Sequence, residues 1–258
     1  MDRDPVWSMT QQELWDEETA RGYDTPGSGM FSTEVLGPTV DRLAGLADGG
    51  PALELAIGTG RVAVPLHRRG VPVTGIELST AMIGQLRQKV PEAEIPVVQG
   101  DMATATAPGD YTLVYLVFNT IGNLLSQAEQ VACVRNAARH LRPGGCFVVE
   151  LMVPGLRVLP PGKTASVFTA EPGYLGVDTY DVVEQLLVSS HVTFGAGREA
   201  RIGRTPQRYV WPAELDLMAQ LAGLQLESRH ADWEGGPFTA DSPSHVSVYR
   251  RPADPATG

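Results

Sequence analysis

At 258 residues and a formal net charge of −10, the chain can bury one sizeable core, as one α/β domain with an insertion or as two small domains. No Lys/Arg stripe and no apolar run near the ~20 residues of a membrane span are present, which argues against binding a nucleic-acid backbone or spanning a bilayer and favours a small-molecule partner. The first residues, "MDRDPVWSMTQQELWDEE", lack the basic start and apolar stretch of a signal peptide, so a cytoplasmic location is expected.

Residues 1–48 predict two helices separated by the breaker-rich "GYDTPGSG" and read as an N-terminal helical cap or lid. Alternation follows. "PALELAI" is a strand and "RVAVPLHRR" a helix that tolerates Pro65 near its start. "VPVTGIEL" is a second strand, and "STAMIGQLRQKV" a helix capped by Ser79 or Thr80. "IPVVQGD" and the almost wholly apolar "YTLVYLVF" are the third and fourth strands. The helix "QAEQVACVRNAARHL" is broken by "RPGG" before a fifth strand, "CFVVELMVP". Strands apolar on both faces and spaced by helices predict a parallel sheet covered on both sides, and right-handed crossovers make it doubly wound, over residues 49–153.

After Pro154 the rhythm changes: residues 154–210 are β-rich, including "VVEQLLVSSHVTF", with no helix between the segments, and predict an inserted antiparallel sheet. Residues 211–251 then supply a helix, "WPAELDLMAQLAGL", stopped by Gly223, and two closing strands, "LQLESRHADW" and "SHVSVYRR", joined by "EGGPFTADSP". Residues 252–258 read as a frayed tail. Cys133 and Cys146 have no metal or disulfide spacing and are expected to be small core residues. Arg198, Arg201, Arg204 and Arg208 read as a solvated strand edge.

The turn after the first strand carries the chemistry. A glycine turn lets a ligand approach the backbone while the following helix offers unpaired amides. "GTGRVA" fits the dinucleotide pattern weakly, and Glu77, seventeen residues beyond Gly60, is placed to accept hydrogen bonds from both hydroxyls of a ribose under a dinucleotide or any other nucleoside reading. Glu54, just before the turn, is awkward beside a pyrophosphate and acceptable beside a ligand bearing an ammonium and a sulfonium. "QGDMA" ends the third strand and sets Asp101 and Met102 at the carboxyl rim.

With "ELAIGTG", "GIELS", "QGDM" and "LRPGGCFVVE" in this order, the chain resembles the class I S-adenosylmethionine-dependent methyltransferases, closely over residues 51–151 and in outline over 212–250. The resemblance implies a Rossmann-like seven-stranded sheet whose last strand is antiparallel. It implies that S-adenosyl-L-methionine is held by Ala56, Gly58 and Gly60 at the turn, by Glu77 at the ribose and by Asp101 and Met102 at the adenine, with Leu78 a further cofactor-binding residue. Phe118 would lie beside the transferable methyl, and Glu54 would orient the cofactor's amino group. Ala56 stands where the family commonly has its first glycine. Tyr23 looks like the aromatic that many members fold over the cofactor, or is a plain surface aromatic. "FNTIG" does not match the motif of members that methylate base amino groups.

Methyl transfer needs alignment and a dry pocket more than a strong base, although a base helps when the nucleophile is a hydroxyl or a protonated amine. With an antiparallel last strand, His245 and His230 both come to the ligand rim and are the candidate bases, or else make structural hydrogen bonds. His67 and His140 read as surface or capping residues. His191, on a face with Val183 and Leu187, reads as core or interface. Tyr209 and Trp211 line the acceptor pocket or anchor the following helix. The insertion resembles that of bacterial amino-sugar and glycine-type N-methyltransferases, which implies an acceptor cover or a homodimer. The function expected is methyl transfer to oxygen or nitrogen of a small metabolite. The alternatives are a cofactor-binding protein that transfers nothing and a nicotinamide oxidoreductase, for which no tyrosine–lysine pair is apparent.

Overall fold

The computed structural model describes Val6, residues 9–195 and residues 199–253. A seven-stranded sheet runs β10-β11-β5-β4-β1-β2-β3. Its strands are β1 (Ala52–Leu55), β2 (Val73–Glu77), β3 (Val97–Gln99), β4 (Tyr111–Leu116), β5 (Leu141–Met152), β10 (Gln225–His230) and β11 (Ser244–Arg250). β1 pairs in parallel with β2 and β4, and β5 in parallel with β4, whereas β11 runs antiparallel to both β5 and β10. This is the Rossmann-like doubly wound sheet with an antiparallel last strand.

Helices cover both faces. α3 (Thr33–Ala47), α4 (Ala63–Arg68) and α5 (Thr80–Arg87) pack Leu43, Leu66 and Leu86 against Leu113, Tyr115 and Val148. α6 (Gln127–His140) and α7 (Pro212–Leu221) pack Val134, Leu215 and Met218 against Leu53, Val114 and Phe147. Burying these side chains is the main stabilising contribution, about 1.5–3 kcal/mol for each large one. The helix starts carry their own signals: the Ser79 hydroxyl accepts the Met82 amide at 3.2 Å, and Ser126 with Glu129 forms a capping box on α6. Gly223, at φ +75°, stops the helix α7.

A second, four-stranded antiparallel sheet, β6-β7-β8-β9, is inserted between β5 and α7. It comprises β6 (Ala165–Glu171), β7 (Tyr174–Asp181), β8 (Leu186–Phe194) and β9 (Ala200–Arg208). The β7–β8 hairpin turns on Asp181, whose carboxylate accepts the Val183 and Glu184 amides at 3.0 and 3.1 Å. Val183 therefore lies in an exposed turn and not on a strand face with His191.

Other expectations change in detail. Among the described residues, the amino-terminal segment forms three α-helices, not two, because the Asp16 side chain accepts the Thr19 amide at 2.8 Å and starts α2 (Glu17–Tyr23) separately from α1 (Gln11–Leu14). Of the arginines assigned to a solvated edge, Arg201 and Arg204 are exposed on edge strand β9. Arg208 is buried instead, bonded to Gln130 and Glu214. Arg198 and residues 254–258 lie outside the described residues. His140 is buried in the core, joined to the Asn136 carbonyl at 2.7 Å and accepting the Ala107 amide at 3.0 Å. Cys133 and Cys146 are buried free thiols, and burial pushes the Cys146 thiol up to about 11. No described helix is long and apolar enough to cross a membrane.

Candidate active site

A cavity of about 460 Å³ opens at the carboxyl ends of β1, β2, β3 and β4, within the size range of small-molecule sites. One wall is the sheet rim, with Ala56, Gly58, Glu77, Leu78, Asp101, Met102 and Phe118. The facing wall comes from the inserted sheet, with Phe168, Asp178, Ser189, His191, Thr205 and Gln207. Gln11, Trp15 and Tyr23 close a third side.

At the rim, both Ala56 (φ +51°) and Gly58 (φ +57°) take the left-handed backbone conformation. That is easy for glycine and costly for alanine, so the bend is held by its surroundings. The tie is Glu77. Its Oε2 accepts the Gly58 amide at 2.8 Å and its Oε1 the Ser79 amide at 2.8 Å, so one carboxylate joins the turn after β1 to the start of α5. Burial pushes its carboxyl up from the ordinary range, and these amides pull it back. Each oxygen keeps a further lone pair. A Cβ built on Gly58 would meet nothing closer than the Ala56 carbonyl oxygen at 4.0 Å, so a ligand can lie directly on this backbone. On Gly60 it would strike Leu86 at 2.4 Å.

The remaining rim residues are fixed as firmly. Asp101 Oδ1 accepts the Ala103 amide at 2.7 Å, and Met102 is buried beside it. Phe118 (φ +56°) and Asn119 (φ +60°) are consecutive left-handed residues, a conformation that a bulky side chain adopts only under constraint. The constraint is visible. Glu150 accepts the Phe118 amide at 2.8 Å while accepting the Trp233 indole N–H at 2.8 Å, and Asn119 Oδ1 accepts the Met152 amide at 2.5 Å. The Arg61 guanidinium then caps the Phe118 ring, 5.1 Å from its centroid.

The amino-terminal helices are latched over this rim. The Ser79 hydroxyl donates to the Trp15 carbonyl at 2.6 Å, and the Thr59 hydroxyl to Asp24 at 2.6 Å, beside a Lys89–Asp24 ion pair. Trp15, Tyr23 and Phe31 meet edge to face at 5.8 and 5.9 Å between centroids.

Several residues singled out from sequence stand elsewhere. Glu54 is fully enclosed beneath the turn, accepting the Tyr115 hydroxyl at 2.9 Å, and burial pushes its carboxyl up to about 8. Neither Glu54 nor Gly60 lines the cavity. His245 and His230 do not line it either. His245 is wholly buried in the sheet face under α7, with Nδ1 on the Ser247 hydroxyl at 2.8 Å and Nε2 without a partner. Burial, and then the neighbouring Arg229, push it down to about 4. His230 packs Nδ1 against the Gly235 carbonyl at 3.2 Å. Tyr209 and Trp211 pack with Tyr180, Leu156 and Leu159 and anchor the start of α7. The imidazole that does reach the cavity is His191, its Nδ1 against the Tyr174 hydroxyl and its ring edge-on to Phe168.

These residues fit an adenosyl sulfonium ligand. The rim offers a carboxylate for two ribose hydroxyls, a second carboxylate beside a thioether for an adenine, and open backbone at Gly58 for the methionine portion. Among the described residues, no group of three His, Cys, Asp or Glu side chains is arranged to hold a metal.

Comparison with known proteins agrees. Residues 52–145 match the model of a family described as a methyltransferase domain. The solved CcbJ methyltransferase of Streptomyces caelestis is 40% identical, with a TM-score of 0.76 over 84% of this chain and 89% of that one. The cypemycin N-terminal methyltransferase of a Streptomyces species is 27% identical over 94% of this chain and 100% of its own length. SAM-bound CalS10, an amino pentose methyltransferase from Micromonospora echinaspora, shares the fold at 20% identity, with a TM-score of 0.67 over 91% of this chain and 95% of that one. The glycine turn, the Glu77 clasp, the strand order and a near full-length likeness at 40% identity converge: the chain belongs to the class I S-adenosylmethionine-dependent methyltransferases.

Proposed function

We propose that this chain methylates an amine nitrogen of a small metabolite, with specialised metabolism as its setting. The observation that carries the reading is the charge of the cavity wall. Besides Glu77 and Asp101, which hold the nucleoside, Asp178 lines it from the inserted sheet, and no described Lys or Arg does. Such a wall favours a cationic or amine-bearing acceptor and disfavours phosphates and carboxylates. The net charge of −10 disfavours a nucleic acid in the same way. The names of the cypemycin N-terminal methyltransferase and the amino pentose methyltransferase CalS10 point to amine-bearing acceptors as well.

When bound, S-adenosylmethionine supplies an activated methyl group and a neutral thioether as leaving group. The protein's part is to align and to exclude water, and positioning alone reaches roughly 7–11 kcal/mol of barrier lowering. Glu77, Gly58, Asp101 and Met102 hold the nucleoside end. Phe118, locked in its left-handed conformation, walls the junction between the two halves. Trp15 and Tyr23 act as the lid. The inserted sheet covers the acceptor. An amine attacks only as the neutral base, and the His191 imidazole on the cavity wall can take its proton. His245 and His230 serve the sheet.

Incubation with methyl-labelled cofactor and a panel of amines and alcohols, read by mass spectrometry, tests this. Label on the nitrogen of a small amine is expected. Label on a hydroxyl oxygen, or tight cofactor binding with no label transferred, would contradict it.

A further inference from the structure

The inserted sheet carries a carboxylate that the cofactor does not need. Asp178 lies on β7, directly opposite Ser189 on β8, and is 7% exposed although it lines the cavity. The Ser189 hydroxyl donates to its Oδ1 at 2.6 Å, and the Tyr180 hydroxyl reaches its Oδ2 at 3.4 Å. None of the ion pairs formed among the described residues includes it. A buried charge without a countercharge is costly unless it is compensated. Here two hydroxyl donors hold the carboxylate in place while its net charge stays open toward the cavity.

The surroundings shape that charge into a subsite. Gly176, two residues before Asp178, has no Cβ, and one built there would strike the Phe168 ring at 2.3 Å. The missing side chain lets Phe168 lie across β7, edge-on to His191 at 5.6 Å. An aromatic wall beside a carboxylate suits an ammonium carried on an apolar body, because the ring face and the anion both attract the cation.

We propose that Asp178 is the anionic anchor that selects an acceptor bearing a protonated amine over the matching alcohol. The proposal rests on the amine-methylation reading above and assigns its specificity to one residue. Burial pushes the Asp178 carboxyl up from its ordinary range, and the Ser189 and Tyr180 hydroxyls and the nearby His191 pull it back toward the charged form.

The test uses matched probe pairs, such as benzylamine with benzyl alcohol and cyclohexylamine with cyclohexanol, titrated calorimetrically into full-length protein saturated with S-adenosylhomocysteine. Wild type should prefer the amine at least tenfold. Asp178→Asn should bring the ratio to within about threefold of unity with unchanged S-adenosylhomocysteine affinity, as expected when a charged hydrogen-bond acceptor becomes neutral. Ser189→Ala, which removes a donor and keeps the charge, should retain the preference. A wild type that does not prefer amines, or an Asp178→Asn protein that still does, overturns the anchor, and the wild-type ratio decides even if Asp178→Asn fails to fold. A wild type that fails to bind S-adenosylhomocysteine overturns the cofactor reading on which the anchor rests. Label transferred to oxygen overturns the amine reading separately.

Discussion

The Glu77 carboxylate accepts the Gly58 amide at 2.8 Å and the Ser79 amide at the same distance, so one side chain at the end of β2 shapes the turn after β1 and the start of α5. The residue expected to hold the ribose is thus also a brace for the backbone on which the ligand lies. Glu77→Ala should weaken S-adenosylmethionine binding by about 2 kcal/mol or more, and leaving two buried amides unpaired should lower stability by about 1–3 kcal/mol. Calorimetry and denaturant titration on the same preparation check both. Unchanged affinity would remove Glu77 from the site.

The two glycines of the turn have different tasks. Gly58 has open space where a Cβ would stand, whereas Gly60 is packed under Leu86 and Val64. Gly58→Ala should therefore cost mainly cofactor affinity, with about 1 kcal/mol of backbone strain. Gly60→Ala adds a clash to the strain at φ +78° and should cost more in stability, about 2–4 kcal/mol. Thermal melts against cofactor titrations separate the two. Equal stability losses would contradict the division.

Two buried groups give stability opposite pH slopes. His245 is neutral in the fold, near 4 against an ordinary 6.5, so its contribution is complete above pH 6.5 and is lost as pH falls toward 4. Glu54 is held protonated, near 8 against 4.5, so its contribution is complete below pH 4.5 and is lost as pH rises through 8. Between 4.5 and 6.5 the slopes oppose. From pH 6.5 to 8 Glu54 alone of these two acts, lowering stability by about 2 kcal/mol. Urea unfolding at the two pH values checks this, with Glu54→Gln expected to flatten the slope. A wild type equally stable at both would contradict it.

The parallel sheet was legible because its strands are apolar on both faces, and the rim residues were legible because glycines and acids at strand ends have few other uses. The acceptor wall was not. Strand alternation puts Leu187, Ser189 and His191 on one face of β8, but which face meets the cavity depends on how the second sheet docks. The Asp181 turn was the available signal for the β7–β8 register that sets Asp178 opposite Ser189. His245 shows the converse. A histidine at a rim-side strand end reads the same whether it faces ligand or core, and only the packing of α7, Arg229 and Phe238 decides it. The left-handed Phe118 had no signal of its own, since phenylalanine rarely adopts that conformation. Asn119, which tolerates it, was the nearer clue.

A crystal structure with S-adenosylhomocysteine bound tests the central assignment most directly. Its ribose hydroxyls should lie within hydrogen-bond distance of Glu77, its adenine beside Asp101 and Met102, and its sulfur toward Phe118 and the inserted sheet. A nucleoside seated away from Glu77, or turned so that its sulfur faces away from Asp178 and His191, would contradict it.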